Sequence, residues 1–164
     1  MKIVEMLRSE NIVVEQFTDF TKFKKAHGKI RNSTVSGQFR LTKFELYDDN
    51  SYWLKFTHKK KCIAVIASRF ERLGERTLAS HWTDQHSRIY PKPNRIGKHH
   101  SKTTFIISGD VVYSGEFVLK GKFTGNGLAA HMVFLNFVLA QLKWQPNWIY
   151  GLMSNQLVLR GFAA

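Results

Sequence analysis

The sequence predicts a mixed α/β fold in a single domain over residues 1–164, and three observations carry that prediction. The 164 residues hold 43% hydrophobic and 13% aromatic side chains, which suits one packed core rather than two domains or a disordered tail. Short runs rich in β-branched and aromatic residues, bounded by turn residues, recur through the middle of the chain. Residues 128–144 instead repeat their apolar side chains at helical spacing.

From the N-terminus, residues 14–27 place Phe17, Phe20, Phe23 and Lys24 at the intervals of an amphipathic helix, with Gly28 as its stop. Across a polar bridge at residues 32–37, Phe39, Leu41, Phe44, Leu46 and Tyr47 suggest extended structure. Asp48, Asp49 and Asn50 supply turn chemistry before a strand at residues 52–57, so the two stretches read as a hairpin. The next connection is basic, with His58, Lys59, Lys60 and Lys61 at its tip. Residues 62–68 form a continuous apolar run, the pattern of a strand buried on both faces.

Residues 69–102 mix charges, four histidines, Pro91 and Pro93 without a single period. They read as a loop-rich insertion holding a short helix or strand near residues 76–82. Residues 103–107 and 111–120 are β-like on either side of Ser108, Gly109 and Asp110, a second hairpin. The helix at residues 128–144 carries Leu128, Met132, Leu135, Val138, Leu139 and Leu142 along one stripe and ends before Pro146. Residues 148–153 then read as a strand, and Asn155 opens a helical pattern that the end of the sequence interrupts.

Lysine and arginine number 25 against 12 Asp and Glu, a formal charge of +13. Such a surface attracts phosphate-bearing molecules at long range, nucleic acids among them, and it also keeps a protein soluble. The single cysteine, Cys62, cannot form an internal disulfide, and residues 1–10 lack the apolar core of a signal peptide. A reducing, cytoplasmic setting is therefore expected. The longest apolar stretch, residues 128–142, contains His131, Asn136 and Gln141. It is shorter than the roughly 20 residues needed to span a bilayer, so no membrane partner is expected.

Gly125, Asn126 and Gly127 stand immediately before the N-terminus of that helix. Backbone N–H groups there lack intrahelical partners and the helix dipole presents partial positive charge, so the end is suited to a phosphate. Glycine lets the backbone turn with positive φ and approach a ligand without a Cβ in the way. No Gly-Lys-Ser/Thr follows, which argues against a Walker loop, and the Rossmann glycine spacing is absent. A tight turn into a core helix is the other reading of the same residues.

The run Lys122, Phe123, Thr124, Gly125, Asn126, Gly127 resembles the pyrophosphate motif of the GNAT superfamily of acyl-CoA N-acyltransferases, Gln/Arg-x-x-Gly-x-Gly/Ala. As in that family, a strand precedes it and a helix follows. The resemblance covers residues 111–164, about a third of the chain. Downstream, Asn155 matches an Asn that family members often carry with a Tyr further on, where this chain has Phe162. Lys122 stands for the usual Gln or Arg, and the chain ends before the Gly-Phe that often closes the pattern, as a truncated C-terminus would.

The resemblance implies a mixed, mostly antiparallel sheet flanked by helices. It places acetyl-CoA, or another acyl-CoA, in a cleft where two parallel strands, residues 111–119 and 148–153, splay apart. Lys122, Phe123, Thr124, Gly125, Asn126, Gly127 and Leu128 would hold the cofactor's pyrophosphate, with Asn155 as a further contact. The implied reaction is direct attack of a neutral amine on the thioester carbon, the oxyanion being held by a backbone N–H of the first strand. The amine-bearing acceptor must lose a proton, and Glu116, in the strand that should line the acyl site, is the candidate base. Tyr113 joins it on the same side if a bulge offsets the alternation. Tyr150 and Asn155 are further candidates for positioning CoA or its leaving thiol, and a solvent-facing Glu116 is the plainer alternative.

His81, His86, His99 and His100 with Cys62 show neither Cys-x-x-Cys nor His-Glu-x-x-His spacing, so no metal site is expected. Cys62, in an apolar strand, reads as an inert core residue. The basic residues 59–61 and 92–102, with Trp82 and Tyr90, offer a face to RNA or DNA, tRNA included. That face could make the chain a nucleic-acid-binding module or serve beside an enzyme. A non-catalytic member that keeps the acyl-CoA pocket is a third reading.

Overall fold

The computed structural model describes residues 2–89 and 102–153. Its strands are β1 (Ile12–Phe17), β2 (Ser51–His58), β3 (Lys61–Arg72), β4 (Asp110–Leu119) and β5 (Trp148–Tyr150). Its helices are α1 (Lys2–Ser9), α2 (Phe20–Arg31), α3 (Leu78–Ile89) and α4 (Leu128–Trp144). The strands form one sheet in the order β1-β2-β3-β4-β5. The first four pair antiparallel, and β5 joins β4 in parallel. A mixed, mostly antiparallel sheet flanked by helices is thus what the sequence forms.

Strand alternation divides the core into two layers. Tyr52, Leu54, Phe56, Ala64, Ile66 and Val112 pack with Leu7 of α1 and with Leu128, Met132, Leu135 and Ala140 of α4. Trp53, Val65, Ala67, Tyr113 and Val118 pack on the opposite face with Phe20 and Phe23 of α2. β2 and β3 are buried on both sides, which is why they read as nearly continuous apolar runs. Each fully buried Phe or Leu contributes about 2 kcal/mol. Between α4 and the sheet lies one polar bridge. The Asn136 amide donates to Ser68 Oγ and to Ser114 Oγ, both at 2.8 Å, and the Tyr52 hydroxyl donates to the Asn136 carbonyl at 2.8 Å.

Several local expectations are corrected. The helix expected at residues 14–27 is instead β1 followed by α2. Ile12, Val13 and Val14 are β-branched and favour a strand, and Asp19 caps α2 by accepting from the N–H groups of Thr21 and Lys22. Gly28 does not stop this helix, which runs on to Arg31 and ends at Asn32 in the left-handed region. Residues 39–47 form no strand. A 3-10 turn at Gly37–Phe39 puts Phe39 into the aromatic core, so the hairpin expected there is absent.

The hairpin that does form joins β2 to β3 through Lys59 and Lys60, at φ 47° and 62°, the two-residue turn that matches strand twist. Residues 103–107 likewise form no strand. Lys102–Phe105 is a 3-10 turn with Phe105 and Ile106 exposed, and β4 pairs with β3 rather than with this segment. The short helix or strand expected near residues 76–82 is the longer helix α3, and β5 is shorter than residues 148–153. α1 has no counterpart in the sequence reading. α4 forms where expected, but Leu142 of its predicted stripe is 71% exposed.

Candidate active site

β4 and β5 pair only over Val111 with Trp148, Val112 with Ile149 and Tyr113 with Tyr150. β5 ends at Tyr150 while β4 continues to Leu119, so among the described residues the β4 edge from Ser114 onward has no parallel strand paired to it. Just past the end of the pairing the chains are still close: a Cβ on Gly151 would lie 2.8 Å from the Ser114 carbonyl oxygen. β4 also carries a bulge. Its register against β3 passes from Ala67 opposite Gly115 to Val65 opposite Val118, one residue more on β4 than on β3. Glu116 sits in this irregularity at φ 56°, a conformation that costs a non-glycine residue about 1–3 kcal/mol. Glu116 reaches residues of the α2 layer, the face that also holds Tyr113.

Glu116 is not solvent-facing, since its side chain is 12% exposed. Its Oε2 accepts from the Ser36 backbone N–H at 3.2 Å and lies 3.3 Å from His27 Nε2. His27 is buried against Phe23. Burial pushes the His27 pKa down, and the Glu116 carboxylate only partly offsets this. The unfolded chain, titrating near 6.5, therefore binds more protons than the folded one at lower pH. Stability should hold above about pH 6.5 and fall as pH drops through that value, by at most about 1.4 kcal/mol per pH unit. Urea unfolding between pH 8 and 5 should show this limb, and His27→Gln should flatten it.

Tyr113 lies flat along the same face. A Cβ on Gly115 would meet its hydroxyl at 2.6 Å and its ring at 2.8 Å, so only glycine lets the phenol rest there. The ring stacks on Phe39 at 5.5 Å and meets Tyr150 at 5.3 Å, and Tyr150 meets Trp82 of α3 at 5.6 Å. Burial, and then the charge of Glu71, push the Tyr150 hydroxyl well above its ordinary pKa, so it stays protonated.

Arg69, opposite Tyr113 on β3, completes a cross-strand row with Tyr113 and Tyr150. It is 2% exposed, pairs with Glu71 at 2.5 Å and stacks under Phe44 at 3.6 Å. Glu71 is held in turn by His81 Nε2 at 2.5 Å and by the Gln85 amide at 2.7 Å. Burial raises the Glu71 pKa, but the bond from His81 and the charge of Arg69 outweigh it and leave it below the ordinary carboxylate value.

The loop between β4 and α4 lies largely exposed. After a 3-10 turn at Gly121–Phe123, Thr124 donates through its hydroxyl to the Gly121 carbonyl. Gly125 and Gly127 stand at φ 88° and 77°, with no atom within 4 Å of where a Gly125 Cβ would be. Both are glycine for backbone reasons, and the space in front of Gly125 is open. Asn126 Oδ1 accepts the Leu128 N–H at 3.2 Å, while the Leu128 side chain belongs to the core. Phe123 packs edge-on against His58 at 5.3 Å, with Lys122 Nζ 5.0 Å above its ring. That contact sets the basic β2–β3 turn beside the loop.

The structure brings Glu116, Tyr113 and Tyr150 to one face of the sheet where the β4–β5 pairing ends. Lys122, Phe123, Thr124, Gly125, Asn126, Gly127 and Leu128 form the loop at the far end of β4. Asn155 and most of the basic stretch at residues 92–102 lie outside the described residues. Sequence reasoning missed His27, Ser36, Arg69 and Glu71. A signal existed for His27, which follows Phe20 and Phe23 on the apolar side of a helix, and for Arg69 and Glu71, which share one face of a buried strand. Ser36 carried none, because it acts through its backbone. Burial pushes the Cys62 thiol pKa up, away from a reactive thiolate. Among the described residues no His, Cys, Asp and Glu group suited to a metal occurs, and no helix is long and apolar enough to cross a membrane.

No protein-family profile matches the sequence, and no curated protein matches it. Solved structures do. A protein from Clostridium acetobutylicum described as a predicted acetyltransferase, solved with acetyl-CoA, aligns over 93% of this chain and 89% of its own at 12% identity, with a TM-score of 0.55. An aminoglycoside N-acetyltransferase in complex with CoA aligns over 93% and 83% at 8% identity, with a TM-score of 0.53. Glucosamine-6-phosphate N-acetyltransferase from Arabidopsis thaliana aligns over 94% and 90% at 14% identity, with a TM-score of 0.51. The parallel pairing of β4 with β5, the bulge and the glycine loop thus belong to a chain with the fold of the GNAT acetyltransferases.

Proposed function

We propose that the chain transfers an acetyl or other short acyl group from acyl-CoA to an amine by direct attack. The observation that carries this reading is the end of the parallel pairing: β5 stops at Tyr150, while β4 runs on past Tyr113 into a loop whose two positive-φ glycines precede the N-terminus of α4. The loop suits a pyrophosphate, because the dipole of a four- to five-turn helix points at it and the space in front of Gly125 is open, with the Leu128 N–H held by Asn126 Oδ1. Acyl-CoA supplies the activated thioester. The protein's part is to hold donor and amine together and to move protons.

Backbone N–H groups on the β4 edge past Tyr113 are the proposed donors to the oxygen on which charge develops. Glu116 is the proposed base: it takes a proton from the acceptor's ammonium, and the freed amine attacks. Tyr113, whose hydroxyl overlies Gly115 on the same face, is the proposed companion that returns a proton to the departing thiolate. The acceptor approaches from the α2 and α3 side, since α4 fills the other face of the sheet.

Calorimetry with acetyl-CoA tests the reading, with Gly125→Trp as control. A bulky side chain at φ 88° both strains the turn and fills the approach to the helix end. The intact protein should bind saturably, and the variant should lose at least about tenfold in affinity, which is 1.4 kcal/mol. Binding would justify a screen of amine acceptors covering amino sugars, amino acids, polyamines and aminoacyl-tRNA. No binding to the folded protein would remove the acyltransferase reading and favour a basic nucleic-acid-binding module.

A further inference from the structure

A histidine at position 27 needs a reason. It is 2% exposed, on the apolar side of α2 beside Phe23, where a hydrophobic side chain would pack without burying a polar ring. Its one charged neighbour on the sheet is Glu116, 3.3 Å from Nε2, while Arg31 is the charge that faces it from its own helix. Glu116 in turn occupies a positive-φ position that surrounding structure must hold in place.

The contacts on Glu116 are asymmetric. Both the Ser36 N–H, at 3.2 Å, and His27 Nε2 meet the same oxygen, Oε2. Among the described residues, Oε1 makes no hydrogen bond or ion pair. A carboxylate tethered by one oxygen keeps the other for a proton. The two contacts come from two sides: the segment after α2 supplies the hydrogen bond from Ser36, and α2 supplies the close contact of His27.

We propose that His27 is a positioning residue for the base: with the Ser36 N–H it pins Oε2 of Glu116 and presents Oε1 to the acceptor's ammonium. This rests on the reading of Glu116 as the base. In the step itself one N–H bond of the ammonium breaks and one O–H bond forms at Oε1, the nitrogen keeping the electron pair with which it attacks. His27 touches neither donor nor acceptor and gains no proton.

The test is a double-mutant cycle on acyl transfer, using acetyl-CoA and the most active amine from the acceptor screen. His27→Phe, which fills the same apolar position, should lower kcat about tenfold or more, within the range set by loss of a positioned base. Acetyl-CoA affinity by calorimetry should not change. In a Glu116→Gln background the same substitution should have no further effect on kcat. His27→Gln, which keeps an amide N–H, should recover much of the loss.

Independent losses that multiply in the double variant would overturn the proposal, as would full kcat in a folded His27→Phe protein when Glu116→Gln is inactive. Full kcat in Glu116→Gln would instead remove the base reading on which the proposal stands, and absence of transfer to every amine would remove both. NMR titration of the His27 ring gives a readout that needs no acceptor. Replacing Glu116 by Gln should move that titration to lower pH, and an unmoved titration would refute the coupling.

Discussion

On the proposed function, Glu116→Gln should lower acyl transfer by about 10²–10⁴-fold, the range in which a positioned general base contributes. The amide is nearly isosteric with the carboxylate and keeps an oxygen to accept the Ser36 N–H, so the bulge and its neighbours should hold their shape. What disappears is the ability to take a proton. The loss should therefore fall on kcat and leave acetyl-CoA affinity alone, because the proposed pyrophosphate loop lies at the other end of β4. Steady-state rates with saturating acetyl-CoA, paired with calorimetry, separate the two. An undiminished kcat would strip Glu116 of its role.

Glu71→Gln is expected to cost about 3–5 kcal/mol of stability, the usual penalty for removing one partner of a buried ion pair. Arg69 is 2% exposed, and among the described residues its Nε and Nη1 have no hydrogen-bond partner, so the loss of Glu71 leaves a buried charge with only neutral partners, Gln38 and Gln85. His81 and Gln85 lose the carboxylate that they share, which loosens α3 from β3. Urea denaturation measures the loss, and Tm should fall by roughly 10 °C in a chain of this size. Removing both charges, as in Arg69→Met with Glu71→Leu, should cost less than removing one. A stable Glu71→Gln protein would mean that Arg69 finds another partner. The folded Glu71 pKa lies below its ordinary value of 4.5, so the stability it contributes is present above that pH and is lost as pH falls through the folded value.

What the sequence disclosed follows from the range of each force. The glycine loop and α4 were legible because local rules govern them: positive φ at Gly125 and Gly127, and an apolar repeat from Leu128 onward. β2 and β3 were legible as runs of Tyr52, Trp53, Leu54 and of Ile63 to Ala67, since burial on both faces leaves that trace. The chain from Phe39 to Tyr47 misled. Its aromatic residues are spaced like a strand, but Phe39 serves the α2 layer and Phe44 covers Arg69. At the site, Glu116 and Tyr113 could be named from β4 alone. Their relation depended on a bulge that appears only when β4 is laid against β3. His27 and Ser36 lie some eighty residues before Glu116, and no local pattern joins them.

The order β1-β2-β3-β4-β5 has a consequence for how this protein can change. Every strand lies beside its sequence neighbour, so each connection is a closed loop tied at both ends by the sheet. Closing such a loop costs entropy that grows only logarithmically with length, about 0.6 kcal/mol for each doubling. Loop closure therefore sets little penalty on the length of the stretch between Arg72 and Asp110, but α3 within it is held in place by buried Leu78 and Ile89 and by the bonds of His81 and Gln85 to Glu71. The β4–β5 pairing and the glycine loop lie outside that stretch, on β4, β5 and the start of α4. On the proposed function, length changes between α3 and β4 would alter the surroundings of an acceptor without touching the proposed acyl-CoA loop.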